Sequence, residues 1–373
     1  YYLNDGSKLG FLITQEVLKS KGAGEGFRRF QIGKDGKFLK VLKAHDFSTV
    51  QPFEGATNKT AAIFLTKGSP TKYPVPYTLW TRKKGIGRIL TDSLLNKALS
   101  SLNKEIQIAQ PIGKITGSWQ TIKPSQKGLS VIEGKNDYKA RRGASTDPYG
   151  VFWIEVKKVL SDKNLVIRNL ALRGKQKFQQ VEEVIEPDLL FPAVSGAEIS
   201  RWQAVPKIYI LVSQNPEKRT GYDELVMKTK WPRTYGYLSK FKQQLLNRAQ
   251  FKKYHLEAGN PFYSQFNIAN YSFTRYKIVW KRMASDLIAA VVSQYKTPFD
   301  YKDIISTDTT AFFSVNNASE AHFLCAIINS VPIRNFIRSF SSAGRGFGSP
   351  SIMENVGIPK FDSQNKLHQQ LAE

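Results

Sequence analysis

Cysteine is nearly absent: the 373 residues hold one, Cys325. A lone cysteine excludes a disulfide framework and matches the usage of a cytoplasmic chain. Set in the apolar run Ala321–Ile328, it reads as a small buried side chain rather than a nucleophile. No stretch approaches the roughly 20 uninterrupted apolar residues that cross a bilayer. No basic amphipathic helix dominates, and no secretory signal pattern is present. The four histidines, His45, His255, His322 and His368, are scattered. With neither H-x-x-x-H nor C-x-x-C spacing, no metal site is expected. Gly22-Ala-Gly-Glu-Gly26 lacks the Lys-Ser/Thr of a phosphate loop and the following acidic residue of a dinucleotide fold, so it reads as a turn that opens a helix. No nucleophile elbow occurs, and nothing in the chain is a self-contained catalytic centre. The shortage with the largest consequence is of acid: 30 Asp and Glu against 55 Lys and Arg leave a formal charge of +25. Such a field attracts polyanions, and nucleic acid is the natural partner because each neutralised phosphate releases counterions. An anionic membrane surface is the weaker alternative, since the apolar segments it requires are missing.

What is present is the composition of a globular protein, 41% hydrophobic and 12% aromatic, long enough for two or three domains with a real core. The chain begins Tyr1-Tyr2 without a methionine and soon enters a strand, so a piece of a longer protein is expected. Apolar patterning predicts strands at Lys8–Thr14, Leu39–Phe47 and Thr60–Thr66, with a helix around Gly26–Gln31. This alternation favours an α/β sheet, here the closing edge of one whose opening half is missing. The last two strands lie too close in sequence for a helical crossover and are expected to pair antiparallel.

The loop joining them carries Phe53 between Pro52 and the Glu54-Gly55 step. Two readings stand: a plug on the core, or a stacking surface for a planar ligand. Pro70, Pro74 and Pro76 predict an extended linker over 69–90 and a domain boundary near 85. Its basic cluster, Arg82, Lys83, Lys84 and Arg88, is a candidate for phosphate contact.

A helix is expected at Thr91–Glu105, then a β-rich region over 106–215. Within it the loop Tyr138-Lys-Ala-Arg-Arg-Gly-Ala-Ser-Thr-Asp-Pro-Tyr-Gly150 sets Lys139, Arg141 and Arg142 among small residues and two tyrosines. Arginine offers a planar fork to phosphate or to a guanine edge. Tyr237, Phe241, Leu245, Leu246 and Ala249 recur at helical spacing, which predicts one amphipathic basic helix over Thr234–Tyr254. Strand-like runs follow at Tyr276–Arg282, Leu287–Ser293 and Thr310–Val315. A helix is expected over Ser319–Phe340, with Ser319 in a capping position. The Gly-rich stretch Ser341–Pro350 is either a linker or a loop that brings Arg345 to a ligand.

Taken in order, several of these strings resemble one family. Lys8-Leu-Gly-Phe-Leu-Ile-Thr-Gln15, Gly24-Glu-Gly-Phe-Arg-Arg-Phe30, His45-Asp46 and Pro52-Phe-Glu-Gly-Ala-Thr-Asn-Lys-Thr60 look like the last catalytic motifs of amino-class adenine DNA methyltransferases, above all those of type IIG restriction-modification enzymes. The resemblance runs on through Tyr73–Trp80, Tyr138–Gly143, Glu186–Leu190, Pro261–Tyr263, Ala321–Ser330 and Gly348–Ile352. Residues 276–359 are similar to the specificity modules of restriction systems.

The resemblance implies an α/β plus α+β fold: a Rossmann-like remnant over 1–85, a first part of a target-recognition region over 86–270 and a specificity-type module over 271–373. It implies double-stranded DNA as partner, with other restriction-modification or defence subunits, and S-adenosylmethionine as cofactor of the intact protein but not of this piece. It also implies that Phe53 stacks on a flipped adenine, which offsets part of the few kcal/mol of unpairing, and it makes Arg82, Lys83, Lys84, Arg88, Lys139, Arg141, Arg142 and Arg345 DNA contacts. The family's Asn/Asp-Pro-Pro-Tyr/Phe tetrapeptide and its Gly-bearing cofactor turn do not occur in residues 1–373, so the piece alone is expected to be inactive. The alternatives are a non-catalytic DNA-specificity subunit and a degenerate methyltransferase homologue.

Overall fold

A computed structural model describes every residue except 1–2, 21, 34–35, 54, 56, 88–93, 175 and 342–346. The chain folds as two compact units. One comprises Tyr1–Lys135 with Val331–Ala343 and Asn355–Gly357, and the other Asn136–Ser330 with Gly344–Glu354 and Ile358–Glu373. The first unit therefore runs some way past the boundary expected near residue 85.

Six strands form the sheet of the first unit: β1 (Lys8–Thr14), β2 (Leu39–Asp46), β3 (Thr60–Lys67), β4 (Val75–Arg82), β5 (Leu102–Pro111) and β6 (Trp119–Ile122), in the order β1-β3-β2-β4-β5-β6. β2 and β3 pair antiparallel, as their closeness in sequence requires, and only the β2–β4 pair is parallel. Side chains alternate across a strand, so Ala61, Ile63 and Leu65 are buried while Ala62, Phe64 and Thr66 between them are half-buried. The buried set joins Val41, Ala44, Val75, Tyr77, Ala109 and Trp119 in one core, completed by Leu18 and Phe30. The helix Val331–Phe340 belongs to this unit and buries Ile333, Phe336, Ile337 and Phe340, a spacing of three and four residues that makes one apolar stripe.

Three expectations for this unit are corrected. Residues 69–90 are not a linker, because Val75–Arg82 is an interior strand of the sheet. The prolines are tolerated because the ladder to β2 begins at Tyr77, just after Pro76, so the missing N–H falls at the strand's start. Of the helix expected at Thr91–Glu105, residues 91–93 lie outside the described residues and Leu95–Ser100 is helical, after which β5 begins where the helix was expected to continue, with Gln107 and Ala109 facing inward and Ile106 exposed. The helix expected around Gly26 lies earlier, at Ala23–Phe27, and Gly22 precedes it at φ +84 as the opening turn.

The second unit holds two larger sheets. One orders β8 (Trp153–Val159), β9 (Leu165–Asn169), β10 (Glu182–Ile185) and β11 (Leu190–Val194) with Ile208–Leu211 and Ile305–Ser306. The other sets β7 (Arg141–Arg142) beside Thr310–Val315, Tyr276–Lys281 and Ala289–Val292. The strands expected over 276–315 are therefore present.

The single helix expected over Thr234–Tyr254 is three: Pro232–Ser239, Lys242–Leu246 and Ala249–Tyr254. Tyr237, Phe241 and Leu245 are buried as their spacing predicted, but Arg248 leaves helical geometry to lead the third helix. The helix expected over Ser319–Phe340 also divides, into Ala318–Asn329 and Val331–Phe340, with Pro332 in the first turn of the second, where its missing N–H is harmless. Its cap is Asn317, whose side chain accepts from the Glu320 N–H, and not Ser319. Cys325 is buried within the first of the two. Among the described residues, no helix is long and apolar enough to cross a membrane.

Candidate nucleic-acid interface

In the first unit the site is the loop 47–59, which leaves β2 at Asp46 and enters β3 at Thr60. Its anchoring starts with a buried carboxylate. Asp46 accepts from the Tyr77 hydroxyl at 2.6 Å, from Gln15 Nε2 at 3.2 Å and from the Ser48 N–H at 2.8 Å, so it ties the first turn of the loop to the floor of the sheet. Burial, then the neighbouring Asp46 charge, pushes the Tyr77 phenol well above its usual range and keeps it a donor. Below them Lys19 donates from Nζ to Thr121 Oγ1 at 2.6 Å and to the Ser339 carbonyl at 2.8 Å. Burial lowers that amine to about 8 against the pull of Asp46.

Arg82, expected as a phosphate contact, also serves the loop. Its Nε donates to the Thr49 carbonyl and its Nη1 to the Ile86 carbonyl, each at 3.1 Å. Thr49 in turn donates from Oγ1 to the Trp80 carbonyl at 3.0 Å. Val50 is the residue that plugs the core, at 1% exposure, whereas Phe53 is 47% exposed. The plug reading of Phe53 is thus overturned: the backbone turns at Gln51, φ +54, and Gly55, φ +70, and the ring between them stands in solvent. Lys83 and Lys84, just beyond Arg82, are exposed. Arg88 lies outside the described residues.

Behind the loop, His45, Phe47 and Trp80 lie nearly parallel, with interplanar angles of 12° to 24° and centroids 6.2 to 6.3 Å apart. Trp80 Nε1 donates to His45 Nδ1 at 3.0 Å, and burial with the nearby lysines Lys43 and Lys104 lowers the imidazole's pKa. This shelf and Pro52 line an apolar cleft of about 430 Å³.

In the second unit, β7 holds Arg141 and Arg142 through ladder pairs with Phe312 and Ala311. The Arg141 guanidinium lies 4.6 Å over the Tyr271 ring, a cation–π contact that fixes its plane. Arg142 reaches Asp308 at 3.5 Å. Asp308 Oδ1 also accepts from the Tyr149 hydroxyl at 2.6 Å, and its main-chain carbonyl accepts from Arg282. Two cations therefore converge on Asp308, Arg142 on its carboxylate and Arg282 on its main-chain carbonyl. Lys139, two residues before Arg141, is exposed. Arg345 lies outside the described residues.

Beside this cluster is a cavity of about 720 Å³, lined among others by Asp147, Tyr149, Arg173, Gln176, Arg248 and Gln250. Arg248, within the amphipathic basic helix expected over Thr234–Tyr254, donates to three carbonyls: Leu245 at 2.8 Å, Asp147 at 3.1 Å and Phe262 at 2.6 Å. Burial lowers it to about 10 despite the charge of Asp147.

Sequence reasoning missed Asp308, Arg282 and the structural work of Arg82 and Arg248. The first two are brought to β7 by strand pairing more than 130 residues along the chain, which no local pattern encodes. A clue to the last two was available: each arginine follows or lies within an apolar run, where an unpaired guanidinium is costly.

No family model matches the chain. Among curated proteins it is 26% identical over 163 residues to the type II methyltransferase M.MjaIV of Methanocaldococcus jannaschii, a match covering 42% of this chain and 50% of that relative. The chain thus spans about half the length of the curated relative it matches. Among solved structures, the type IIG restriction endonuclease BpuSI aligns with 99% of this chain and 42% of its own, at 14% identity and TM-score 0.35. The type IIL restriction-modification enzyme MmeI, solved in complex with DNA, aligns with 95% of this chain and 38% of its own, at 11% identity and TM-score 0.46. By sequence, the chain resembles a methyltransferase of a restriction-modification system.

Proposed function

We propose that this chain is the part of an adenine-N6 DNA methyltransferase that holds the flipped base and recognises the target DNA. The observation that carries the reading is Phe53: an exposed aromatic ring on a loop held to the sheet at Ser48, Thr49 and Val50. A ring presented on a fixed loop loses little entropy on stacking, and base–aromatic stacking contributes about 1–3 kcal/mol. Flipping a base out of the duplex costs a few kcal/mol, so Phe53 offsets a large share of it. The excess of cations over acids supplies the sequence-independent attraction to the duplex. Lys83, Lys84, Lys139, Arg141 and Arg142 are the described side chains proposed to meet it.

S-adenosylmethionine, in the intact protein, supplies the methyl group. Neither motif that the family uses for the cofactor and the target amino group occurs in residues 1–373, so this chain's own work is to bind, stack and orient. A cytoplasmic setting, expected from the single cysteine, accords with that role.

The test is duplex binding by this chain across a salt series. Affinity falling steeply with salt, and falling further for Arg141→Ala with Arg142→Ala, supports the reading. No measurable duplex binding at low salt contradicts it.

A further inference from the structure

The cavity of the second unit holds an acid where the rest of the molecule argues against one. Asp147 lines it, yet among the described residues its carboxylate makes no hydrogen bond and no ion pair, while its own main-chain carbonyl is fixed by Arg248 Nη1 at 3.1 Å. The backbone is therefore set and the acceptor is left open. Partial burial and the nearby Asp308 raise its pKa, opposed by Arg142 and Arg248. In a chain of formal charge +25, an unpaired carboxylate among arginines weakens attraction to any phosphate backbone. Such a group is useful only to a ligand that offers it a donor.

The surroundings limit which donor. The cavity, about 720 Å³, falls in the range of sites that enclose a small planar group. Its walls include the rings of Tyr149 and Phe266, with Gln176 and Gln250 exposed at the edge. Amides paired with a carboxylate match the edge of a nucleobase. Carboxylates accept from the cytosine amino group, and glutamines bond adenine at its amino group and N7.

We propose that this cavity is a base-reading pocket in which the Asp147 carboxylate accepts a hydrogen bond from the exocyclic amino group of a cytosine or adenine, with Gln176 and Gln250 completing the contact to the base edge. The inference rests on the DNA-binding reading above and adds to it the group that discriminates between bases. A paired base and an extrahelical base offer the same amino group. A 2-aminopurine placed next to the selected position, which keeps the recognised amino group in place, brightens on binding only if the selected base leaves the stack.

The experiment selects bound sequences from a randomised duplex library with this chain, Asp147→Asn and Gln250→Ala. The wild-type chain is expected to favour an amino-bearing base at one position. Asp147→Asn, nearly identical in shape, lowers that preference by roughly 10-fold or more while affinity for random duplex rises, because a negative charge has gone. A merely structural Asp147 does not move the two readings in opposite directions. Gln250→Ala, an exposed change, lowers the preference at the same or the adjacent position and keeps the test open if the first variant fails to fold. An unchanged base preference in the folded variants overturns the pocket and leaves the DNA-binding reading standing. A wild-type chain that binds duplex with no base preference does the same. No duplex binding by the wild-type chain overturns both.

Discussion

The loop 47–59 of the first unit and the cavity of the second are both built around arginines that donate to backbone carbonyls, yet they present opposite surfaces. The loop carries one exposed ring, Phe53, with no polar group needed for stacking. The cavity is concave and lined by an acid, two amides and cations. A ring stacks on any base, because every base has a π face; a carboxylate and amides distinguish one base edge from another. On the proposed function, the difference teaches that binding a base and choosing a base are separate tasks, given to different residues. In each case an arginine, Arg82 or Arg248, is hydrogen-bonded to backbone carbonyls and so stiffens the site.

The comparison is broken most severely at its anchors. Asp46→Ala leaves the Tyr77 hydroxyl and Gln15 without their buried acceptor and releases Ser48, and is expected to destabilise the first unit by about 3 kcal/mol. Chemical denaturation measures it. A loss below about 1 kcal/mol would show that the loop is held by other means. Phe53→Ala comes next and separates the ring from the scaffold. Stability should change by less than about 0.5 kcal/mol because the ring is exposed, whereas methyl transfer by the intact protein should fall by roughly 10- to 100-fold, the value of one stacking contact. Equal losses in stability and transfer would return Phe53 to a structural role.

These anchors explain what was legible beforehand. The strands β1 to β3 follow from local apolar patterning and were readable, whereas the neighbours of Phe53 marked its loop but left plug and exposed ring both open until its burial was known. β4 was not, because prolines argue against an interior strand unless the register of β2 is known, and register is a property of the folded sheet. The long helix over Thr234–Tyr254 failed for a related reason. Its apolar spacing correctly gave the buried Tyr237, Phe241 and Leu245, but the break at Arg248 answers to carbonyls of Asp147 and Phe262 that lie elsewhere in the chain. Of the arginines expected to meet DNA, Arg82 also donates to the Thr49 and Ile86 carbonyls, a task that its sequence neighbours did not show.

Two smaller effects sharpen the contrast. Lys277 in the second unit is buried, and burial lowers its amine to about 8, with Asp303 opposing. Its folded pKa lies below the unfolded value, so the unfolded chain binds the extra proton above pH 8, and stability gains from this group as pH rises from 8 toward 10. Urea denaturation at pH 7.5 and pH 9.5 should show a gain that Lys277→Met abolishes; a variant with the same pH dependence as the wild type would remove the assignment. Last, Lys83→Ala with Lys84→Ala, exposed beside the Phe53 loop, should leave stability unchanged and reduce the salt slope of duplex binding by about 2. An unaltered slope would take both lysines out of the interface.

The central claim, that Phe53 holds a flipped adenine in a methyltransferase, is tested most directly by supplying labelled S-adenosylmethionine and duplex DNA to the full-length protein, with and without Phe53→Ala. The account predicts label on adenine N6 from the wild-type protein and a loss of roughly 10-fold or more in the variant. Label on no base, label on cytosine, or transfer by the variant at the wild-type rate would contradict it.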